Sequence, residues 1–98
     1  MSALNFTQDG KRWLSDTISP TKSNIEVCVR FKNPGGGLVG LLRSMDDVDF
    51  TPHEGGTVGN TLKDTDMIIF TVCGIVPGGY LKIVSTTETD SGCEWREG

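Results

Sequence analysis

The stretch from Asp66 to Ser85, DMIIFTVCGIVPGGYLKIVS, constrains the fold more than any other part of the chain. Met67, Ile68, Ile69, Phe70, Val72, Cys73, Ile75 and Val76 fill one apolar arm, and Tyr80, Leu81, Ile83 and Val84 fill a second. β-Branched and aromatic residues of this kind fit a pleated surface better than a helix. Pro77-Gly78 between the arms suits the central positions of a type II turn, where Pro sets φ and Gly accepts a positive φ. The pattern predicts a β-hairpin. Alternation sends Ile68, Phe70, Val72 and Val76 to one face and Met67, Ile69, Cys73 and Ile75 to the other. A strand that is apolar on both faces must be covered on both. In a chain of 98 residues, another subunit is the expected second cover.

The remaining segments also read as strands and turns. Residues 3–18 carry a hairpin signal, ALNFT and KRWLSDTI around Gln8-Asp9-Gly10. Residues 25–32, IEVCVRFK, alternate cleanly: Ile25, Val27, Val29 and Phe31 face a core, and Glu26, Cys28, Arg30 and Lys32 face away. Asn33 to Gly37 is a turn. Leu38 to Arg43 is a short strand in which Gly40 marks a bulge or a close backbone approach. Residues 44–66 are irregular, with short edge strands expected at Val48–Thr51 and Thr57–Leu62. The final CEWREG reads as a last strand with Cys93 and Trp95 on one face and Glu94 and Arg96 on the other. No window of a dozen residues shows helical periodicity with caps. The expected architecture is one all-β domain over residues 1–98. It is a small antiparallel β-sandwich of about 7–9 short strands, in a jelly-roll-like or barrel variant.

Composition limits the function. A net charge of −4 argues against a general nucleic-acid binder. Residues 1–45 carry six Lys or Arg against three Asp or Glu, and residues 46–98 carry three against ten. Such a split favours attraction between copies, unless interleaved strands mix the two fields. No run approaches the roughly 18 apolar residues of a membrane helix. The start, MSALNFTQDGKRW, lacks the basic and apolar blocks of a secretory signal. Synthesis in the cytoplasm without a signal peptide is expected. Cys28, Cys73 and Cys93 show no metal or redox spacing and are expected as free thiols, with one disulfide the alternative.

Each chemical constellation has a plainer counterpart. Ser44-Met45-Asp46-Asp47-Val48-Asp49 with Glu54 is acidic enough to suggest Ca²⁺, but its spacing is not that of an EF-hand, and a solvated acidic loop is expected. His53 is the only histidine, has no nucleophile or zinc spacing around it, and reads as a surface or turn residue. Gly35-Gly36-Gly37 and Gly55-Gly56 lack the following helix of a phosphate loop and read as turns. Trp13, Tyr80 and Trp95 are either core-edge aromatics, interface anchors or a sugar-stacking platform.

With no catalytic set and no cofactor signal, the expectation is a non-enzymatic structural subunit. The model case is a virion-type protein, a bacteriophage decoration, fibre or tail component, that self-associates or docks on a larger particle. Its partners are copies of itself or a larger protein assembly, without nucleic acid or membrane. Its interface residues are Met67, Ile69, Ile75, Trp13, Tyr80 and Trp95. The alternative is a carbohydrate-binding or adhesin-like sandwich whose sugar ligand stacks on Trp13, Tyr80 or Trp95.

Overall fold

A computed structural model describes residues 2–32, 38–59 and 66–97, with backbone alone for 53–59. Among the described residues, nine strands form two antiparallel sheets. The first sheet orders β1 (Ser2–Ala3), β9 (Glu94–Glu97), β4 (Ile25–Arg30) and β7 (Met67–Val72). The second orders β2 (Phe6–Asp9), β3 (Arg12–Ser15), β8 (Tyr80–Ser85), β5 (Leu38–Ser44) and β6 (Thr51–Gly59). The chain passes back and forth between them. With β2–β3 taken as one arm, the order is that of an eight-stranded jelly roll, β1-β9-β4-β7 over β3-β8-β5-β6. The sheets do not close into a barrel.

The core lies between the inner rows of the two sheets. Strand β4 follows its alternation: Ile25, Val27 and Val29 are at most 1% exposed, and Phe31 just beyond is equally enclosed. Val72, Cys93 and Leu4 join them from the first sheet's side. Val39 and Leu41 of β5, Leu81 and Ile83 of β8, and Ile18 close the core from the other. Phe6, Ile68, Phe70, Ile75 and Trp95 pack around its margin. Period-two alternation in strands of both sheets is what allows one apolar face of each to meet.

The expected hairpin over 66–85 does not form. Strand β7 pairs with β4, and β8 pairs with β3 and β5 in the other sheet. The Pro77-Gly78 turn is present: the Gly79 N–H donates to the Val76 carbonyl at 3.3 Å, and Gly78 has φ 95°. It serves an arch between sheets instead of a hairpin within one. The reason is non-local. The Ile75 N–H donates to the Ser23 carbonyl at 2.8 Å and the Gly78 N–H to the Pro20 carbonyl at 3.4 Å, so the arch is satisfied by the 20–23 loop. Val76 is accordingly in the arch and 71% exposed, not on the inner face.

Three other expectations shift. The first hairpin turns one residue later, with Asp9 opposite Arg12 and Gly10 at φ 65° as the first loop residue. Its leading segment splits, since Ser2–Ala3 pairs with β9 in the other sheet. Among the described residues of the 44–66 region one edge strand forms, β6, while Val48 lies in the loop before it, 76% exposed. Gly55 and Gly56, expected as a turn, and His53 with them, sit within β6. They fall where pairing with β5 jumps from Gly40↔Thr57 to Leu42↔Pro52, so the bulge expected at Gly40 is present. Gly40 is also a close approach, since a Cβ there would meet Val84 Cγ1 at 3.1 Å. The Gly35–Gly37 turn and residues 60–62 lie outside the described residues.

Buried Ser15 ties the end of β3 to β8. Its Oγ accepts from the Ile83 N–H at 2.8 Å and donates to the Asp16 carbonyl at 2.8 Å. It stands in for a carbonyl where the β3–β8 ladder stops at Leu14↔Val84. Ser15→Ala leaves the Ile83 N–H without its partner inside the sandwich. The expected cost is about 1–3 kcal/mol in urea unfolding, where Val48→Ala at an exposed loop position stays within about 0.5 kcal/mol.

Candidate docking face

The outer side of the β1-β9-β4-β7 sheet gathers residues from three strands into one shallow groove of about 260 Å³. Register defines its rows. Glu26 lies between Thr71 and Arg96, Cys28 lies between Ile69 and Glu94, and Arg30 lies beside Met67. These are the residues that alternation pushes outward once Ile25, Val27 and Val29 turn inward. Arg96 donates from Nε to Glu26 Oε1 at 2.7 Å, a pair whose two side chains stay largely in solvent. Such a pair contributes little to stability, but it orders one end of the groove. Ile69 is 56% exposed at the other wall.

The edge of this sheet is β7. The Phe31 N–H donates to the Asp66 carbonyl at 2.7 Å, and on the opposite side of β4 the Asp90 N–H donates to the Arg30 carbonyl at 2.8 Å. Bonding alternates along an antiparallel ladder. Ile68, Phe70 and Val72 therefore direct their backbone groups to β4, and Met67, Ile69 and Thr71 direct theirs to the edge, which no other described strand pairs. Met67–Val72 holds no charge and no proline. Edge strands are normally blunted by just such residues, because bare N–H and C=O groups invite a further strand.

The groove also holds a thiol, that of Cys28. Burial pushes the Cys28 thiol up from its ordinary value, with Arg30 opposing and Glu94 and Glu26 adding to the rise. Burial likewise raises Cys93 on the inner side, where Sγ accepts from the Arg30 N–H at 3.2 Å and donates to the Asp90 carbonyl at 3.4 Å. All three cysteines are free thiols, and Cys73, grouped by alternation with the apolar arm, is exposed at the start of the arch. Thiolates do the chemistry of cysteine. Ellman's reagent should therefore label one thiol quickly and two slowly in the folded chain. Cys73→Ser should remove the fast phase; a fast phase surviving that change would mean Cys28 is open and activated.

The predicted interface residues separate. Met67 and Ile69 share the groove. Ile75, expected beside them, turns to the core margin because the arch reverses the chain before it. Trp95 points inward from β9 and reaches the groove only at its wall. Trp13 pairs with buried Ser85 on the inner side of the second sheet. Tyr80, at the far end of β8, shares the parity of Lys82 and Val84 on that sheet's outer side. The three aromatics thus form no common platform. Glu26, Cys28, Arg30, Glu94 and Arg96 were legible as outward residues, but only the β9-β4 pairing brings them together. Also unforeseen is Phe50, over whose ring Lys82 Nζ sits at 4.6 Å.

The acidic loop has a structural use. Asp46 Oδ1 accepts from the Val48 and Asp49 N–H groups, each at 3.0 Å, and from Ser44 Oγ at 2.8 Å. Ser44 Oγ accepts in turn from Asp47 N–H at 3.0 Å. The side chains of Ser44 and Asp46 take the N–H groups a strand would need, which is why Val48 to Phe50 does not extend β6. Among the described residues, no three His, Cys, Asp or Glu side chains converge on a metal position. The side chains of His53 and Glu54 lie outside the described residues. No protein-family model, curated protein or solved structure matches the chain.

Those backbone donors hold the Asp46 carboxyl at about 2, down from 3.8. A lowered folded-state value stabilises fully above the ordinary value and is lost as pH falls through the lowered one. Stability should therefore fade between about pH 4 and pH 2. Asp46→Ala should lower the melting temperature at neutral pH and flatten the pH dependence in that window; an unchanged acid slope would show that Asp46 does not anchor the loop.

Proposed function

We propose that this chain is a non-enzymatic assembly subunit that works by self-association or by docking on a larger particle, as small virion proteins do. The observation that carries the reading is β7. It is the edge of its sheet, and it is uncharged. It is also apolar on both flanks, with Ile68 and Phe70 half-buried inward and Met67 and Ile69 outward. A surface of this kind is costly to leave in water and prone to unwanted pairing unless a partner covers it. The jelly-roll order adds support, since that fold builds viral capsids, although it also serves lectins and cupins and does not select among them. We read the groove as a place of contact rather than reaction, with a thiol whose pKa burial raises and a Glu26 carboxylate that accepts from Arg96.

The deciding measurement is absolute mass by light scattering on a sizing column, from micromolar to millimolar chain. A discrete oligomer, or material growing into larger particles, is expected. A clean monomer across the whole range, with no co-assembling partner, overturns the proposal.

A further inference from the structure

We propose that the occupant of the β7 edge is a second copy of this chain, paired antiparallel about a two-fold axis through Ile69, so that one sheet runs through both subunits. The inference rests on the assembly reading above and gives it a geometry. Three observations lead to it.

The first is the phase of the free hydrogen-bonding groups. Met67, Ile69 and Thr71 are the residues directed outward from the edge, as the Phe31–Asp66 bond fixes. That set is symmetric about Ile69. A two-fold there pairs Ile69 with the partner's Ile69, and Met67 with the partner's Thr71, each pair exchanging both backbone bonds as an antiparallel ladder requires. No register shift is needed to match donors to acceptors.

The second is side-chain matching in that same register. On the outer face Ile69 meets the partner's Ile69. On the inner face Ile68 meets the partner's Phe70, an aromatic–β-branched contact of the kind that stabilises cross-strand pairs. Both rows of β7 gain an apolar lateral neighbour in one event. No like charges are opposed, because Met67–Val72 carries none.

The third is the charge beside the edge. On β4, Arg30 lies next to Met67, and Glu26 lies next to Thr71. The antiparallel two-fold sets Arg30 of one subunit in line with Glu26 of the other, a carboxylate that also accepts from its own Arg96. A parallel pairing aligns like with like. Opposed fields of this kind select register and orientation more than they add affinity. An isologous contact also closes on itself, which makes a dimer or a dimeric building block rather than an open fibre.

The test uses the full chain in a Cys73→Ser background, which removes the exposed thiol. Met67→Cys and Thr71→Cys variants are prepared separately and oxidised mildly, alone and mixed. Their Cα atoms lie about 5.5 Å apart across the proposed pair, within disulfide reach, whereas identical positions lie far apart. A covalent dimer should form on mixing and not from either variant alone. Independently, Ile69→Pro removes an N–H that points away from β4, a place where an edge strand tolerates proline. It deletes two symmetric bonds and should raise the dimer dissociation constant about 30-fold. If that variant does not fold, Ile69→Lys sets two like charges at the axis and should weaken the dimer in the same way. A discrete oligomer that ignores both Ile69 changes, or gives no cross-link on mixing, overturns the edge geometry and leaves the assembly reading standing. A wild-type chain that stays monomeric at millimolar concentration overturns the edge pairing, and one that also joins no larger particle overturns both.

Discussion

The inner row of β4 is the constraint to which the rest of the first sheet answers. Ile25, Val27 and Val29 have almost no solvent contact, and β4 has a strand on each side. Full burial of that row demands a continuous opposite sheet, supplied by Val39, Leu41, Leu81 and Ile83. It also fixes the phase of both neighbours. β7 must turn Ile68, Phe70 and Val72 inward, and β9 must turn Trp95 inward. A slip by one residue would exchange faces along the whole strand. Ile69 and Met67 are therefore outside because the core needs their neighbours, and an apolar outer row on β7 is the consequence. The same logic places Cys28 outside while leaving it enclosed by Ile69 and Glu94.

A jelly roll crosses between sheets many times, and each crossing strands backbone groups that a hairpin would satisfy internally. Here small polar side chains do much of that work. Ser15 accepts the Ile83 N–H, and Asp46 collects the N–H groups of its loop. Glu97 accepts from the Thr21 N–H at 2.8 Å and from its hydroxyl at 2.6 Å, which lowers the Glu97 pKa and ties the last strand to the loop before β4. The polar residues that might have suggested chemistry are in these places occupied with backbone. That is the physical reason an acidic run in a small β protein is weak evidence for a cation site.

How much of this was legible follows from how local each determinant is. The alternation in IEVCVRF and in CEWRE is local, and both strands lie with the faces it implies. The Pro77-Gly78 turn is local too, and it is present. Whether that turn closes a hairpin or an arch is not local, since the decision rests with Pro20 and Ser23, far back in the chain. The same holds for the site. Met67 and Ile69 could be named from their own strand. Ile75 could not be placed without the arch, and the charged half of the groove could not be assembled without knowing that β9 lies beside β4. Trp13, Tyr80 and Trp95 looked alike as exposed-aromatic candidates because a lone tryptophan in a short strand carries no signal of which sheet it joins.

A sandwich of two open sheets has four outer strands, and here they are not equivalent. β1 is two residues long. β2 ends on a charge, Asp9, paired with Arg12 of β3 at 3.3 Å. β6 contains Pro52, and its pairing with β5 is interrupted at the bulge. Shortness, charge, proline and irregularity are the usual means of keeping a sheet edge from recruiting strangers. Among the described residues β7 has none of them, though it is regular, six residues long and the most apolar of the four. The alternating constraint from β4 dictates only its inner row. A lysine or glutamate at Ile69 would satisfy the core equally well and would guard the edge. Three guarded edges and, among the described residues, a bare fourth are the arrangement that the proposed pairing requires.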